Sequence, residues 1–354
     1  MREGRSLVDL ARELDRQRHA KEDLLVSSAL IHHETGAGGS SEIAIEDNET
    51  LRRYGITDVA RRQLAEKLNI PFKYFERMRA EQPELLDSNV NTWLQSDSSK
   101  RMLRTMDGKV RAVLSDRYRR LDNFALAEHV LPIFQGIDGG RVESVELTET
   151  RMYLKFVHGR LSHTMKPGDV VQAGVVISNS EIGLGSLAVQ PLLYRLVCEN
   201  GLIVPEHSLR RTHIGRTLAN EEDGVQLFQD DTLQADDLAF FLKVRDMVQA
   251  ALSEATFRHF ASSMQRTMGI PITGDPVKSV EVLSKRFSLS EDERGGVLRH
   301  LINGGELSAY GLVNAVTRFS QDVENYDRAT DLETVGGHLI AMNDSEWEVL
   351  AKAG

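Results

Sequence analysis

Ser98 to Asn123 reads SSKRMLRTMDGKVRAVLSDRYRRLDN. Two short alternating runs, RMLRTM and VRAVLS, flank the dipeptide Asp107-Gly108. That dipeptide favours the positive φ values of a tight turn, so a β-hairpin is expected. Alternation places Arg101, Leu103 and Thr105 on one face and Met102, Arg104 and Met106 on the other. From Lys100 to Arg120 eight cations stand against two acids, Asp107 and Asp116. The whole chain carries −10, so everything outside this +6 stretch sums to −16. Cations gathered against the charge of an acidic chain point to a local anionic partner. The plainer reading is a solvated hairpin whose cations offset nearby acids.

Composition sets the outer bounds. The 354 residues are 41% hydrophobic and 27% charged, enough for two or three cores. No run approaches the roughly 20 apolar residues that span a bilayer. The N-terminal MREGRSLVDLARELDRQR has no apolar signal core. The single cysteine, Cys198, rules out an intramolecular disulfide and a cysteine-rich zinc site. A cytoplasmic protein with no membrane partner is expected. The acidic balance argues against coating nucleic acid with the whole surface, though not against binding it through a groove.

Along the chain, Leu7, Leu10, Leu14 and Leu24 partly keep helical spacing over residues 5–25. HHETGAGGSS (32–41) has the composition of a flexible linker. His32, His33 and Glu34 have no further ligand at a metal-binding spacing. Residues 57–79 predict a helix, a break at LNIP, and a second helix with Pro71 in its first turn. The spacing imitates a helix-turn-helix. FKYFERM, however, offers aromatic packing groups where a recognition helix presents polar ones, so a packed helical hairpin is expected. FALAEHVLPIF predicts a helix that breaks near Pro132, and strands are expected over 141–147, 151–157 and 170–178. EIGLGS (181–186) lacks the spacing and the Lys-Ser/Thr of a P-loop. PLLYRLVCENG (191–201) reads as a short helix with Pro191 in its first turn and Gly201 past its end.

A second basic cluster follows. HSLRRTHIGR (207–216) holds Arg210, Arg211, Arg216, His207 and His213 with no acid, and Glu221 to Asp237 then carries seven acids and no cation. The two blocks could neutralise each other, or the acidic one could compete with an anionic ligand or pair with a neighbouring subunit. Beyond them the chain predicts helices throughout. Leu233 to Met264 reads as one long helix, GIPITGDP as a hinge, and helices are expected near 277–286, 290–302 and 308–320. Ser290 and Glu293 fit a capping box, and Gly336-Gly337 splits the terminal helical pieces.

The pattern as a whole is α+β. It predicts a central, mostly antiparallel twisted sheet with packed helices, a β-β-β-α-like core, and an all-helical C-terminal region. The expected divisions are 1–40 (N-terminal helix and Gly/Ser linker), 41–97 (helical hairpin region), 98–220 (basic α+β core) and 221–354 (acidic segment and helical region).

The succession AVLSDRYRRLDN (112–123), SNSEIGLGSL (178–187), YRLVCENGL (194–202), RRTHIG (210–215) and YGLVNAVTRFSQDVENYDRATDLETVGGHLI (310–340) resembles the phage- and plasmid-associated domain-of-unknown-function family 932. The resemblance runs from about residue 50 to 340. It implies a prophage or mobile-element setting and brings no catalytic residues with it. In element order alone, without a shared residue motif, the chain is also similar to the Rad52-like single-strand annealing proteins.

No catalytic machinery, metal site or cofactor is read from the residues. Cys198 lies in an apolar run and reads as a small buried hydrophobe. Glu149 and Lys155 are too far apart for a nuclease Glu-x-Lys pair, and no serine sits on a nucleophile elbow. The expected function is single-stranded DNA binding and annealing, with RNA the alternative ligand, by a protein that self-associates as a ring or filament. Arg101, Arg104, Lys109, Arg111, Arg117, Arg119, Arg120, Arg210, Arg211 and Arg216 would meet phosphates, with His213 beside them. Tyr118 or Trp93 would stack on bases. Two other readings stand beside it: an oligomeric protein-interaction or defence-related factor, and an enzyme acting on a phosphate-bearing substrate.

Overall fold

The computed structural model describes residues 4–47, 50–205, 209–211 and 230–354. The chain opens with α1 (Leu7–Ala20), whose cap residue Ser6 accepts from the Asp9 amide. Four strands follow: β1 (Lys21–Ser27), β2 (Ile31–Thr35), β3 (Ser41–Asp47) and β4 (Thr50–Ile56). Then come α2 (Asp58–Lys67), α3 (Phe72–Glu81) and α4 (Pro83–Ser96), and the hairpin of β5 (Lys100–Met106) and β6 (Lys109–Ser115). Asp107 and Gly108 have φ of 52° and 72°, the two positive values of a type I′ turn. The six strands form one sheet in the order β1-β5-β6-β4-β3-β2. Its single parallel pair sets Gly55 of β4 against Lys109 and Ile56 against Val110 of β6. Leu64, Phe75, Leu86, Val90 and Leu94 of α2–α4 pack on Leu24, Ile31, Ile43 and Leu103, burying one face of this sheet.

The second sheet is a meander. After α5 (Asn123–Gln135) come β7 (Gly140–Leu147), β8 (Met152–Lys166), β9 (Asp169–Asn179), β10 (Leu187–Arg195) and β11 (Asn200–Ile203). A short β12 (Leu209–Arg211) also pairs with β10. Leu10 and Leu14 of α1, Leu126, Val130 and Phe134 of α5, and Val244 and Val248 of α6 (Asp230–Ala251) pack on Leu154, Phe156, Val175 and Ile177. The remaining helices are α7 (Glu254–Arg266), α8 (Pro276–Phe287), α9 (Glu291–Gly304), α10 (Ala309–Phe319), α11 (Tyr326–Ala341) and α12 (Asp344–Ala351). Lys155, next to Phe156 on β8, points to the opposite face, where α11 lies. The α+β class and the all-helical C-terminal region are as the sequence suggests, with the strands divided between two sheets.

Several local readings need correction. HHETGAGGSS is not a linker; it forms β2, a turn in which Gly38 and Gly39 both have φ of 77°, and the start of β3. Glycine and serine suit a hairpin loop as well as a tether, and only the pairing partner separates the two. PLLYRLVCENG supplies most of β10 rather than a helix. Pro191 is tolerated because β12 pairs residues 187–189 and β11 pairs residues 192–195. Its missing N–H faces the gap between them. α5 continues past Pro132 to Gln135, and the long pattern of 233–264 breaks at Ser253, which caps α7. Gly336 and Gly337 lie inside α11 rather than splitting it. A Cβ on Gly337 would stand 1.8 Å from the Ile203 carbonyl oxygen, so the glycines let the helix approach β11 closely.

The outer edge of β2 is closed by α4. Asn91 accepts from the His33 amide at 2.7 Å and donates to the His33 carbonyl at 3.0 Å. Asp87 accepts from the Thr35 amide at 2.9 Å, the Thr35 hydroxyl at 2.7 Å and His33 Nδ1 at 2.8 Å. A sheet edge left open invites pairing with other chains. Asp87→Ala strands three donors and is expected to cost about 2–3 kcal/mol, read as a lower urea midpoint. An unchanged midpoint would show that water replaces the carboxylate at no cost.

Candidate functional site

The second face of the first sheet meets the second half of the chain through charged groups. Glu181, in the loop from β9 to β10, is 2% exposed. Its carboxylate accepts from Lys21 Nζ at 2.5 Å, Arg111 Nη2 at 2.5 Å and the Asn123 amide at 2.7 Å. Burial alone would raise Glu181, but Lys21 and Arg111 reverse this and hold it at about 2. Arg104 is fully buried. It donates to Asp23 at 2.9 Å, to Asp122 at 2.5 Å and to the Glu181 carbonyl at 2.9 Å.

This network corrects much of the phosphate-contact reading of the hairpin. Arg104, itself fully buried, cannot reach a phosphate without abandoning Asp23 and Asp122. Arg101 is held by Asp97 at 2.6 Å, and Arg111 by Glu181. Tyr118 packs with Leu114 and Ile182 and donates its hydroxyl to the Ser180 carbonyl at 3.2 Å, so its ring is not a free stacking platform. Arg119 is half-buried and partnered. Arg120 is exposed and lies 3.4 Å from Asp23. Lys100, Lys109 and Arg117 are exposed and have no acidic partner among the described residues. Trp93 is 53% exposed on α4, across the first sheet from Arg104 and Arg111, and is not gathered with them.

The second basic cluster is only partly described. The backbone of Arg210 and Arg211 forms β12, paired with Ala188 and Leu187 of β10. His207, His213 and Arg216 lie outside the described residues, as do Glu221, Glu222 and Asp223. Asp230, Asp231, Asp236 and Asp237 fall on α6. Cys198 is half-buried, with Arg195 Nη1 3.3 Å from its sulfur, rather than lost in the core.

A cleft of about 650 Å³ opens beside the Glu181 network, between the two sheets. One wall is the junction of β4 and α2 (Ile56, Thr57, Asp58) with Lys109 and Arg111 of β6; the other includes Thr148 to Arg151 and Glu181. Arg5 and Arg16 also line it. Arg16 is already engaged with Glu13 and Asp107, both at 2.9 Å. Sequence reading missed Lys21, Arg151 and Glu181 here. No local pattern links Lys21 to a carboxylate 160 residues away.

Elsewhere two buried ion pairs fasten helices to the second sheet. Lys155 Nζ lies 2.6 Å from Glu333 Oε2, and Arg195 lies 2.5 Å from Asp169, which also accepts from the Tyr310 hydroxyl at 2.6 Å. Among the described residues no group of three His, Cys, Asp or Glu could hold a metal ion. No helix there is long and apolar enough to cross a membrane.

No curated protein and no solved structure matches the chain, so a likeness to Rad52-like proteins is not among the findings. The model of one family, described as domain of unknown function DUF932, matches residues 110–347, well over half of the chain and most of the second sheet and helical layer. The chain belongs to the DUF932 family.

Proposed function

We propose that the protein binds single-stranded nucleic acid and acts in strand annealing, in the cytoplasm of a bacterium carrying phage or other mobile DNA. It would do so without covalent chemistry, since annealing requires only that one strand be held by its backbone with its bases free. The observation that carries the reading is the placement of the two basic segments. Gly183 packs against Leu114 and Tyr118, and four residues later Leu187 pairs with Arg211. Both segments therefore adjoin one loop, with the Arg211 backbone within roughly 25 Å of the Tyr118 ring, from the reach of four residues and one strand spacing. Lys109 and Arg117, exposed and unpaired with acids among the described residues, add charge on the first sheet's side of that loop.

Four phosphate contacts, from Lys109, Arg117, Arg210 and Arg211, give an expected log–log salt slope of about −3 for a single strand. Fluorescence anisotropy of a labelled ~40-mer should then lose about 60-fold in affinity between 50 and 200 mM salt. Arg117→Ala and Arg210→Ala should each reduce the slope by about 0.7. A flat salt response would overturn the reading.

A second reading has its own support. Arg101, Arg104 and Arg111 are neutralised within the chain, so the hairpin offers less free charge than its composition suggests. An oligomeric interaction protein would form large, salt-sensitive assemblies that ignore nucleic acid, which sizing in parallel with the anisotropy would reveal.

A further inference from the structure

We propose that His33 is an acid-sensitive latch that holds α4 against the outer edge of β2, and that protonating its ring releases that edge. The latch is independent of the nucleic-acid reading and lies on the helical side of the first sheet.

His33 stands in the middle of β2 with its side chain fully buried. Its backbone amide and carbonyl turn outward to Asn91 of α4. Asp87, one turn earlier on the helix, accepts from the Thr35 amide and hydroxyl and from His33 Nδ1. A carboxylate only accepts, so Nδ1 carries the ring proton and Nε2 is the bare nitrogen of a neutral imidazole. Nε2 is buried and has no hydrogen-bond partner among the described residues. The ring meets Phe75 of α3 edge to face, with centroids 5.7 Å apart and planes at 77°. A second proton would therefore place a donor and a positive charge where no acceptor meets them.

Charged groups face the ring from three helices. Asp87 of α4 favours the imidazolium, whereas Arg61 of α2 and Arg79 of α3 oppose it. The arginines are themselves paired, Arg61 with Asp58 and Glu76, and Arg79 with Glu76. On the strands the cross-strand neighbour is Ile43, and Glu34 beside His33 is drawn to Arg53. Burial dominates this balance and holds the imidazole below its ordinary 6.5. The latched ring takes up a proton less readily than a released, solvated one. The closed state therefore loses ground as the pH falls below about 6.5. Glu181, held at about 2, titrates far below this window, so the two acid responses are separable. Release frees the His33 and Thr35 amides and the His33 carbonyl, an edge open to pairing with a further strand.

The test is amide hydrogen exchange of the full chain, read as protection factors so that the intrinsic effect of pH is removed. Opening at the His33 and Thr35 amides should rise about tenfold between pH 7.5 and 5.5, the ratio for a group that titrates near 6.5 only when released. The amides of β9 in the second sheet should keep their protection. His33→Asn retains a donor for Asp87 but has no titrating ring, so opening of its β2 edge should change by less than about twofold. Unchanged β2 protection in the parent chain overturns the proposal, as does a tenfold loss that His33→Asn retains. A loss shared equally by β9 is global unfolding and overturns a local latch. Should His33→Asn fail to fold, NMR titration of the His33 ring in the parent chain decides. A midpoint below about 6 upholds the latch, and one at or above that value overturns it.

Discussion

Glu181→Gln is expected to lower the unfolding free energy by about 3–5 kcal/mol, although the side chain keeps its size and shape. The carboxylate is the common partner of Lys21 and Arg111, and Arg104 lies against its own backbone carbonyl. Removing the negative charge leaves cations at the buried junction of the two sheets without their counter-ion. The same group sets an acid limit. Its folded value of about 2 lies below the ordinary 4.5, so the folded chain binds this proton less readily than the unfolded one. Its contribution is complete above about pH 4.5 and is lost as the pH falls towards 2, by about 3 kcal/mol in all. Denaturant unfolding at pH 7 and pH 3 checks both statements. The variant should be much weaker at pH 7 and should lose less on acidification. A variant within 1 kcal/mol of the parent at pH 7 would mean that water reaches the network and screens it.

The second large effect is expected at Lys155 and Glu333, both fully buried. Burial works against the Lys155 ammonium, yet Glu333 and the nearby Tyr326 more than compensate and its pKa is raised. Glu333 Oε1 has no hydrogen-bond partner among the described residues, and Lys155 Nζ sits 4.7 Å over the Tyr326 ring. The pair is therefore incompletely satisfied, and its net contribution is small beside the cost of breaking it. Lys155→Met or Glu333→Leu alone should destabilise by about 3–5 kcal/mol, because each leaves one buried charge unmatched. The double variant should recover most of that loss. A urea double-mutant cycle measures this, and additive losses would show that packing rather than charge governs the site.

Much of the architecture was legible where a local rule settles the structure. Asp107-Gly108 requires a hairpin because of its backbone alone, and Ser290 with Glu293 forms the capping box their spacing implies. The helices after residue 275 follow their apolar spacing because each buries one stripe on its neighbours. What failed depends on partners distant in sequence. Pro191 can stand in β10 only because two different strands share that edge, and Gly337 can stand in α11 only because Ile203 lies beneath it. The basic hairpin misled for the same reason. Counting charges along Lys100–Arg120 could not show that Asp23, Asp97 and Glu181 absorb Arg104, Arg101 and Arg111. Lys109 and Arg111 stand out in the sequence and line the cleft, whereas the β4–α2 junction and the far wall beside them depend on contacts that no local pattern reveals.

α1 belongs to both halves of the molecule. Leu10 and Leu14 fill the core over the second sheet, and the chain leaves the helix directly into β1 of the first. The Arg5 backbone bridges Val145 of β7, so the segment before β1 reaches across both bodies. The family match, which begins at residue 110, therefore does not begin at a boundary of folding. A fragment cut at the family limits would begin inside β6, lose the strands on both sides of it, and open the core that α1 seals. The N-terminal helix thus covers, in cis, an apolar surface of the region that the family model matches.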